Sequence, residues 1–316
     1  MAWSQHLVNA SRGDYLQWAP PKGSKVLPAG DELGPFDFPA GFVPNLRLAG
    51  TAIRGCSVPL GQWRSVEDST NVFVYQSFVD ELAHLASEDP LAFLLKLMGD
   101  PRSMPYDDAS YDSGRLQQVL QTAAREAQWN TPMPAGYGRG IAASYANSAY
   151  VALVAEVEVN QRHEIRCHRI IAAADIGIVV NPLGASAQVE GAIIFGLSAA
   201  LKQAITLKHG AVVQSNFTDF PVIRMPEAPL IEVHFVASTH PPLGVGEAAL
   251  PATAPAIANA IFAATGVRVR RLPILPSDLA SGSASRVSRD PDNSKTIPRA
   301  TLASVILQAS DPSGSL

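Results

Sequence analysis

Residues 150–175 hold the pattern that most narrows the fold. Tyr150-Val-Ala-Leu-Val-Ala-Glu-Val-Glu-Val-Asn is apolar and alternates towards its end. A polar turn at 160–163 separates it from Glu164-Ile-Arg-Cys-His-Arg-Ile-Ile-Ala-Ala-Ala-Asp. Two such runs joined by a short polar turn predict the antiparallel strands of a hairpin. Asn181-Pro182 then supplies a cap and a first-turn proline for a long helix reaching about Ile205. Gly210 opens a turn, Ile231–Val236 reads as a strand, and Ala254–Thr265 as a helix ended by Gly266.

Upstream the period changes from two to about 3.6. After Asn71, the residues Val74, Phe78, Leu82 and Leu85 mark the apolar face of a first helix. Asp89-Pro90 caps a second, over Leu91–Met98, which Gly99 stops. Arg115 to Trp129 forms a third, with Leu116, Val119, Leu120 and Ala123 on one face. The fold class is therefore α+β. We expect an extended arm over 1–45, a helical part over 46–130, an α+β part over 131–276 and a polar tail over 277–316. The arm opens on no strong helix or strand pattern. A short helix near Arg299–Gln308 is expected in the tail.

Composition excludes several functions. The 316 residues are 47% hydrophobic and 16% charged, too apolar for a disordered chain. Lys and Arg total 24 against 28 Asp and Glu, a net charge of −4, which argues against nucleic acid as the main partner. The two cysteines, Cys56 and Cys167, make no Cys-x-x-Cys, so neither a self-contained iron–sulfur cluster nor a structural zinc site is expected. A buried, inert thiol is the expectation for Cys56, with a reactive one as the alternative. The seven histidines (His6, His84, His163, His168, His209, His234 and His240) have no metal-ligand spacing and read as surface or satisfied core residues. No phosphate-binding loop or Gly-x-Ser-x-Gly elbow occurs, and Gly136-Tyr-Gly138-Arg-Gly140 lacks the dinucleotide spacing. No targeting segment is visible, and the longest apolar runs fall short of a membrane span. A cytoplasmic location is expected, with a periplasmic or membrane-associated one, reached through a partner, as the alternative.

Three segments suit close approach to a ligand. In Pro59-Leu-Gly-Gln-Trp-Arg-Ser, the pair Trp63-Arg64 precedes a helix, where guanidinium and backbone N–H groups together hold an anion. The plainer reading is an arginine packing a loop. In Asp175-Ile-Gly-Ile-Val-Val-Asn-Pro the chain enters the long helix, which carries Gly191 and Gly196. Glycine inside a helix implies close packing against a backbone or a ligand, and Gln188, within the first two turns, can both donate and accept. The third segment is Gly244-Val-Gly246-Glu247. A carboxylate among Gly, Pro, Ala and Leu is suited to general-base work, although Glu247 also stands where a helix cap would.

In this order the segments resemble the molybdenum-cofactor subunit of the xanthine dehydrogenase/aldehyde oxidase family, in its isoquinoline 1-oxidoreductase beta-subunit-like branch. The resemblance runs from Gly244-Val-Gly-Glu247 through Ala254–Gly266 to Arg268-Val-Arg-Arg-Leu-Pro273. It also includes Ala187-Gln-Val-Glu-Gly, Asp175-x-Gly-x-x-x-Asn-Pro, and Trp63-Arg64 followed by Phe78-Val-Asp-Glu-Leu-Ala, covering roughly 61–273. It implies the C-terminal half of a molybdopterin-binding subunit, with mixed sheets packed with helices. Carried over, Glu247 falls on the family's catalytic glutamate, the base in a hydroxylation of an N-heterocycle or aldehyde that takes its oxygen from water. Gln188 falls on the glutamine that hydrogen-bonds the cofactor, and Trp63, Arg64 and Gly246 on cofactor-loop positions.

Two departures accompany the resemblance. Ala248 follows Glu247 where many relatives have Pro, which implies a looser loop. The family's Gly-Gly-Gly-Phe-Gly and Gly-x-Gly-Gln segments are also missing. A second polypeptide carrying the N-terminal half of the subunit is therefore expected, with a fragment of a longer chain as the alternative. The resemblance further implies a molybdopterin cofactor, in its cytosine dinucleotide form, shared with that partner. It implies [2Fe–2S] clusters on a separate iron–sulfur subunit and a cytochrome or other electron acceptor. Two other readings compete: a structural subunit that kept the fold and lost the chemistry, and a stand-alone small-molecule-binding protein.

Overall fold

The computed structural model describes residues 2–10, 33, 37–53, 62–106, 109–146 and 148–280. Cys56, the start of the Pro59–Ser65 segment, most of the proposed arm and the tail with its expected helix lie outside the described residues.

The centre is a four-stranded sheet. The hairpin is strands β6 (Ala149–Val159) and β7 (Ile165–Asp175), paired antiparallel as predicted. Two further strands join it. We label them β5 (Tyr137–Ala146), antiparallel to β6, and β10 (Leu230–Phe235), parallel to β7, giving the order β10-β7-β6-β5. Alternate residues of β6 feed opposite cores. Val151, Leu153, Ala155 and Val157 pack on one side, and Tyr150, Ala152 and Val154 on the other. That explains why the run is apolar nearly throughout instead of strictly alternating.

Helices cover both faces. On one lie α4 (Pro182–Leu201) and α5 (Thr253–Thr265), through Val189, Ile193, Leu197, Ile257 and Ile261. On the other lie α2 (Pro90–Met98) and α3 (Ser113–Glu126), through Leu94, Met98, Leu116, Val119 and Leu120. The expected caps are present. Asp89 accepts from the Ala92 N–H, Asn181 from the Gly184 N–H, and Gly266 closes α5 at φ +71°. Helix α4 ends at Leu201, short of Ile205. It is also long and apolar enough to cross a membrane by length and composition, contrary to expectation, although 44% of that stretch is buried inside the protein.

Helix α1 (Asp68–Ala86) departs from its predicted face. Val74, Phe78 and Leu82 are only partly buried and Leu85 is 37% exposed. The buried set is Asn71, Val72, Phe73, Tyr75, Gln76, Ser77, Val79, Asp80, Glu81 and Ala83. The helix is packed on more than one side, and its buried charges are paired. Asp80 meets Arg268 at 2.7 Å, and Glu81 meets Arg270 at 2.5 Å. Burial nevertheless pushes the Asp80 carboxyl upward against the pull of Arg268.

The remaining departures are strands. Ala2–Ala10 forms β1, which pairs in parallel with β2 (Asn45–Ile53), so the arm does open on a strand. Strands β3 (Ser103–Tyr106) and β4 (Ala109–Asp112) interrupt the expected helical part. Short strands β8 (Leu207–Lys208) and β9 (Ala211–Val212) flank the turn at Gly210. Helix α6 (Pro276–Ala280) stands at the expected start of the tail.

Candidate functional site

The site is assembled from three stretches far apart in sequence. The first begins at the end of β7. There Arg115 clamps Asp175 with two bonds of 2.6 Å, and the Gly177 N–H donates to the same carboxylate at 3.1 Å. Burial alone would push Asp175 up, but the Arg115 hydrogen bond and the Gly177 N–H outweigh it and hold the carboxyl below its usual value. Gly177 has φ +70°, and a side chain there would meet the Pro241 carbonyl at 2.0 Å. This closeness lets the two loops pair. The Ile178 N–H donates to His240 O at 2.9 Å, and the Leu243 N–H to Ile176 O at 2.8 Å. The Gly244–Glu247 segment is thereby delivered beside the N-terminal half of α4, where Gln188 lies exposed.

The third stretch is the turn at 63–68 before α1. Arg64 donates from Nε to Gly246 O at 2.5 Å, and from Nη2 to the same oxygen, to Gln188 O at 3.2 Å and to Gln188 Oε1 at 3.3 Å. Burial pulls the guanidinium below its usual value, and Glu247 beside it pulls the other way. The plainer reading of Arg64 therefore holds in part: it is a fork that fastens the Gly246 loop to α4. Trp63 stacks on Phe195 of α4 at 4.9 Å and 19°. It is 37% exposed.

Glu247 is half-buried. Its Oε1 accepts from the Ser65 N–H at 3.3 Å and its carbonyl from Ser65 Oγ at 2.8 Å. Its surroundings are thus more polar than the sequence suggests, because Arg64 and Ser65 arrive from the 63–68 turn. Ala248 is fully buried, and its carbonyl accepts from Ser144 Oγ at 3.2 Å. The loop expected to be looser is pinned from two sides. All five residues singled out in the sequence (Glu247, Gln188, Trp63, Arg64 and Gly246) converge on one face. Ser65 and Ser144 were missed. A short polar residue in a turn or a strand carries no signal of its fold partners.

The donor groups suit a ligand rich in acceptors. Gln188 Oε1 accepts from Arg64 at 3.3 Å, and the side-chain nitrogen of this amide is a donor. Gly191 and Gly246 leave space around that pair. A side chain on either would come no closer than 3.7 Å to Arg64 Nη1 or 3.8 Å to Gln188 Oε1. The open space and the Gln188 amide donor are compatible with a pterin cofactor, whose ring acceptors that amide would meet.

Elsewhere, Cys167 is buried and its thiol is pushed up to about 12, the state of an inert cysteine. His6 bonds Thr51 at 2.8 Å, His168 bonds Glu158 at 2.9 Å, and His84 meets the Phe262 ring edge-on. His234 departs from the expectation of a satisfied core residue: its Nε2 is buried with no partner among the described residues. Among the described residues no group of three or more His, Cys, Asp or Glu side chains is arranged to hold a metal ion.

Known proteins share both sequence and fold with this chain. Residues 89–229 match the molybdopterin cofactor-binding domain, a span that includes Gln188. One subunit of the nicotinate dehydrogenase of Pseudomonas putida is 35% identical over 217 residues, covering 67% of this chain and 18% of the relative. The beta subunit of the isoquinoline 1-oxidoreductase of Brevundimonas diminuta is 33% identical over 225 residues, covering 70% of this chain and 27% of that protein. The chain thus spans less than a third of the length of either curated relative. The aldehyde oxidoreductase of Desulfovibrio gigas superposes with a TM-score of 0.58 at 15% identity, over 76% of this chain and 43% of that one, and so shares the fold. By sequence and fold together, the chain belongs to the xanthine dehydrogenase family, as part of its molybdenum-cofactor-binding subunit.

Proposed function

We propose that this chain supplies the glutamate-bearing face of a molybdenum hydroxylase that oxidises an N-heterocycle or an aldehyde. One observation carries the reading. The Arg64 fork gathers Gln188 from α4 and the Gly246-Glu247 loop onto a single surface, although its partners lie 124 and 182 residues away. A structural subunit that had lost the chemistry would have no need to keep a base, a cofactor-type amide and their common clamp together.

The bound cofactor supplies the two-electron acceptor for a hydroxylation whose oxygen comes from water. Glu247 takes a proton on its carboxylate, whose Oε1 accepts from the Ser65 N–H. The Ser65 N–H and the Ser144–Ala248 contact keep that carboxylate in place. Arg64 holds Gln188 so that its amide nitrogen meets the cofactor. Trp63 and Phe195, stacked, form one side of the face.

Several finer features belong to the same proposal. The cofactor is the cytosine dinucleotide form, shared with a second polypeptide that carries the N-terminal half of the subunit. The [2Fe–2S] clusters lie on a third polypeptide, which passes electrons to a cytochrome or other acceptor. The nicotinate dehydrogenase and isoquinoline 1-oxidoreductase relatives are themselves subunits of larger enzymes, which supports a multi-subunit assembly.

The test is metal analysis of the tagged chain purified from its native host, with identification of the polypeptides that accompany it. Near-stoichiometric molybdenum with a Gly-rich partner and a Cys-rich small subunit is the expected result. A molybdenum-free, well-behaved monomer would contradict it.

A further inference from the structure

Arg115 has no place in the function proposed above, yet it reaches the base of the site from the far side of the sheet. It stands in the first turn of α3, which packs on the face opposite α4 and α5. Its partner Asp175 is the last residue of β7, where the chain leaves the sheet for the loop that enters α4. Only 13% of the Arg115 side chain and 3% of the Asp175 side chain are exposed.

The guanidinium is itself fixed. It lies over the Tyr150 ring at 4.5 Å, and Tyr150 faces Asp175 in the β6–β7 register. The Tyr150 hydroxyl accepts from the Asp112 N–H at 2.8 Å, and the Asp112 side chain caps the Gly114 and Arg115 N–H groups. Two bonds of 2.6 Å then hold Arg115 and Asp175 in one mutual orientation.

Asp175 in turn holds two loops. Its Oδ1 accepts from the Gly177 N–H at 3.1 Å, which shapes the 176–180 loop leading to Gln188. The Ser238 hydroxyl, from the loop after β10, hydrogen-bonds the same carboxylate. The His240 N–H donates to Ser238 Oγ at 3.3 Å. The Ile178 N–H to His240 O and the Leu243 N–H to Ile176 O complete the pairing, shortly before Glu247. We propose that Arg115 is a positioning residue: through Asp175 it sets the spacing between the loop that leads to Gln188 and the loop that carries Glu247. The catalytic consequence rests on the proposed function; the spacing of the loops does not.

A lysine at 115 keeps the charge and loses the second prong, so the Asp175 carboxylate is free to turn under the Gly177 N–H. The Arg64 fork, built on other residues, still fastens Gly246 to Gln188. The site is therefore displaced without being dispersed. A small displacement of a base from its target slows the chemical step and leaves binding nearly intact.

The spacing is measured first on the full chain, by amide hydrogen exchange at Ile178 and Leu243. In Arg115→Lys both should exchange on the order of tenfold faster, while core amides of β6 and α5 keep their wild-type rates. The paired variant Arg115→Gln with Asp175→Asn leaves no buried charge alone and should show the same local change. Equal exchange in variants and wild type would overturn the proposal. So would a rise spread evenly over β6 and α5, the mark of general destabilisation.

The catalytic consequence is read on the assembled, molybdenum-loaded enzyme. In Arg115→Lys, kcat should fall by roughly 10- to 10²-fold, with KM and molybdenum content near wild type. An unmoved kcat in a metal-replete variant whose loops exchange faster would overturn the positioning role. A wild-type assembly without molybdenum or turnover, in a chain whose loop exchange still responds to residue 115, would instead count against the proposed function and support the spacing of the loops.

Discussion

Arg64 is the residue on which the site turns. A charge-assisted hydrogen bond contributes about 1.5–3 kcal/mol, and this guanidinium makes several to the Gly246 carbonyl and Gln188. Arg64→Ala leaves the Gly246 and Gln188 carbonyls without their donor. The expected outcome is a lower unfolding midpoint and at least a tenfold loss of cofactor retention, measured as molybdenum per assembly. Arg64→Lys should recover only part of either, because an ammonium cannot reproduce the fork. From sequence, Trp63-Arg64 stood out before a helix, with loop packing as the plainer reading, and Glu247 and Gln188 stood out by their local settings, a Gly-rich loop and the first turns of a capped helix. What Arg64 touches was not legible, since its partners are 124 and 182 residues distant. The same holds for Arg115, whose partner Asp175 lies 60 residues further on.

At the scale of elements, the strand and helix signals that depend on neighbours in sequence were readable, and those that depend on packing were not. The hairpin, the caps at Asp89 and Asn181, and the stop at Gly266 are local chemistry. The face of α1 was misread, because buried Asp80 and Glu81 look like surface residues until Arg268 and Arg270 arrive to pair with them. The Gly136–Gly140 run seemed notable only for lacking a dinucleotide pattern, yet two of its glycines let α5 lie directly on β5. A side chain on Gly140 would meet Ala260 N at 2.2 Å and Ala256 O at 2.4 Å. Gly140→Ala should therefore lower stability by about 1–3 kcal/mol or more, read as a drop in the chemical-unfolding midpoint. The Arg115–Asp175 clamp makes a second prediction. Asp175 has a depressed folded value, so its stabilisation is present above the unfolded carboxyl value of about 3.9 and is lost as pH falls through the folded one. Asp175→Asn should cost on the order of 3 kcal/mol at pH 7, and should flatten the loss of stability seen on acidification.

Across the whole molecule, apolar surface gathers beside the face that carries Gln188. Ile178, Val180 and Leu183 are 50%, 77% and 86% exposed, in the loop and first turn leading to Gln188. A protein that works alone seldom leaves such a cluster uncovered beside its site. Produced by itself, the chain should elute above its monomer mass and bind a hydrophobic dye. Produced with its partner subunits, it should do neither. The account as a whole rests on Glu247 being the base of that shared site. The most direct test compares wild type and Glu247→Gln in the purified assembly, with molybdenum content measured alongside turnover of an aldehyde or N-heterocycle. The account predicts equal molybdenum and a fall in kcat of about 10²- to 10⁴-fold. Equal molybdenum with turnover within a few-fold of wild type would contradict it.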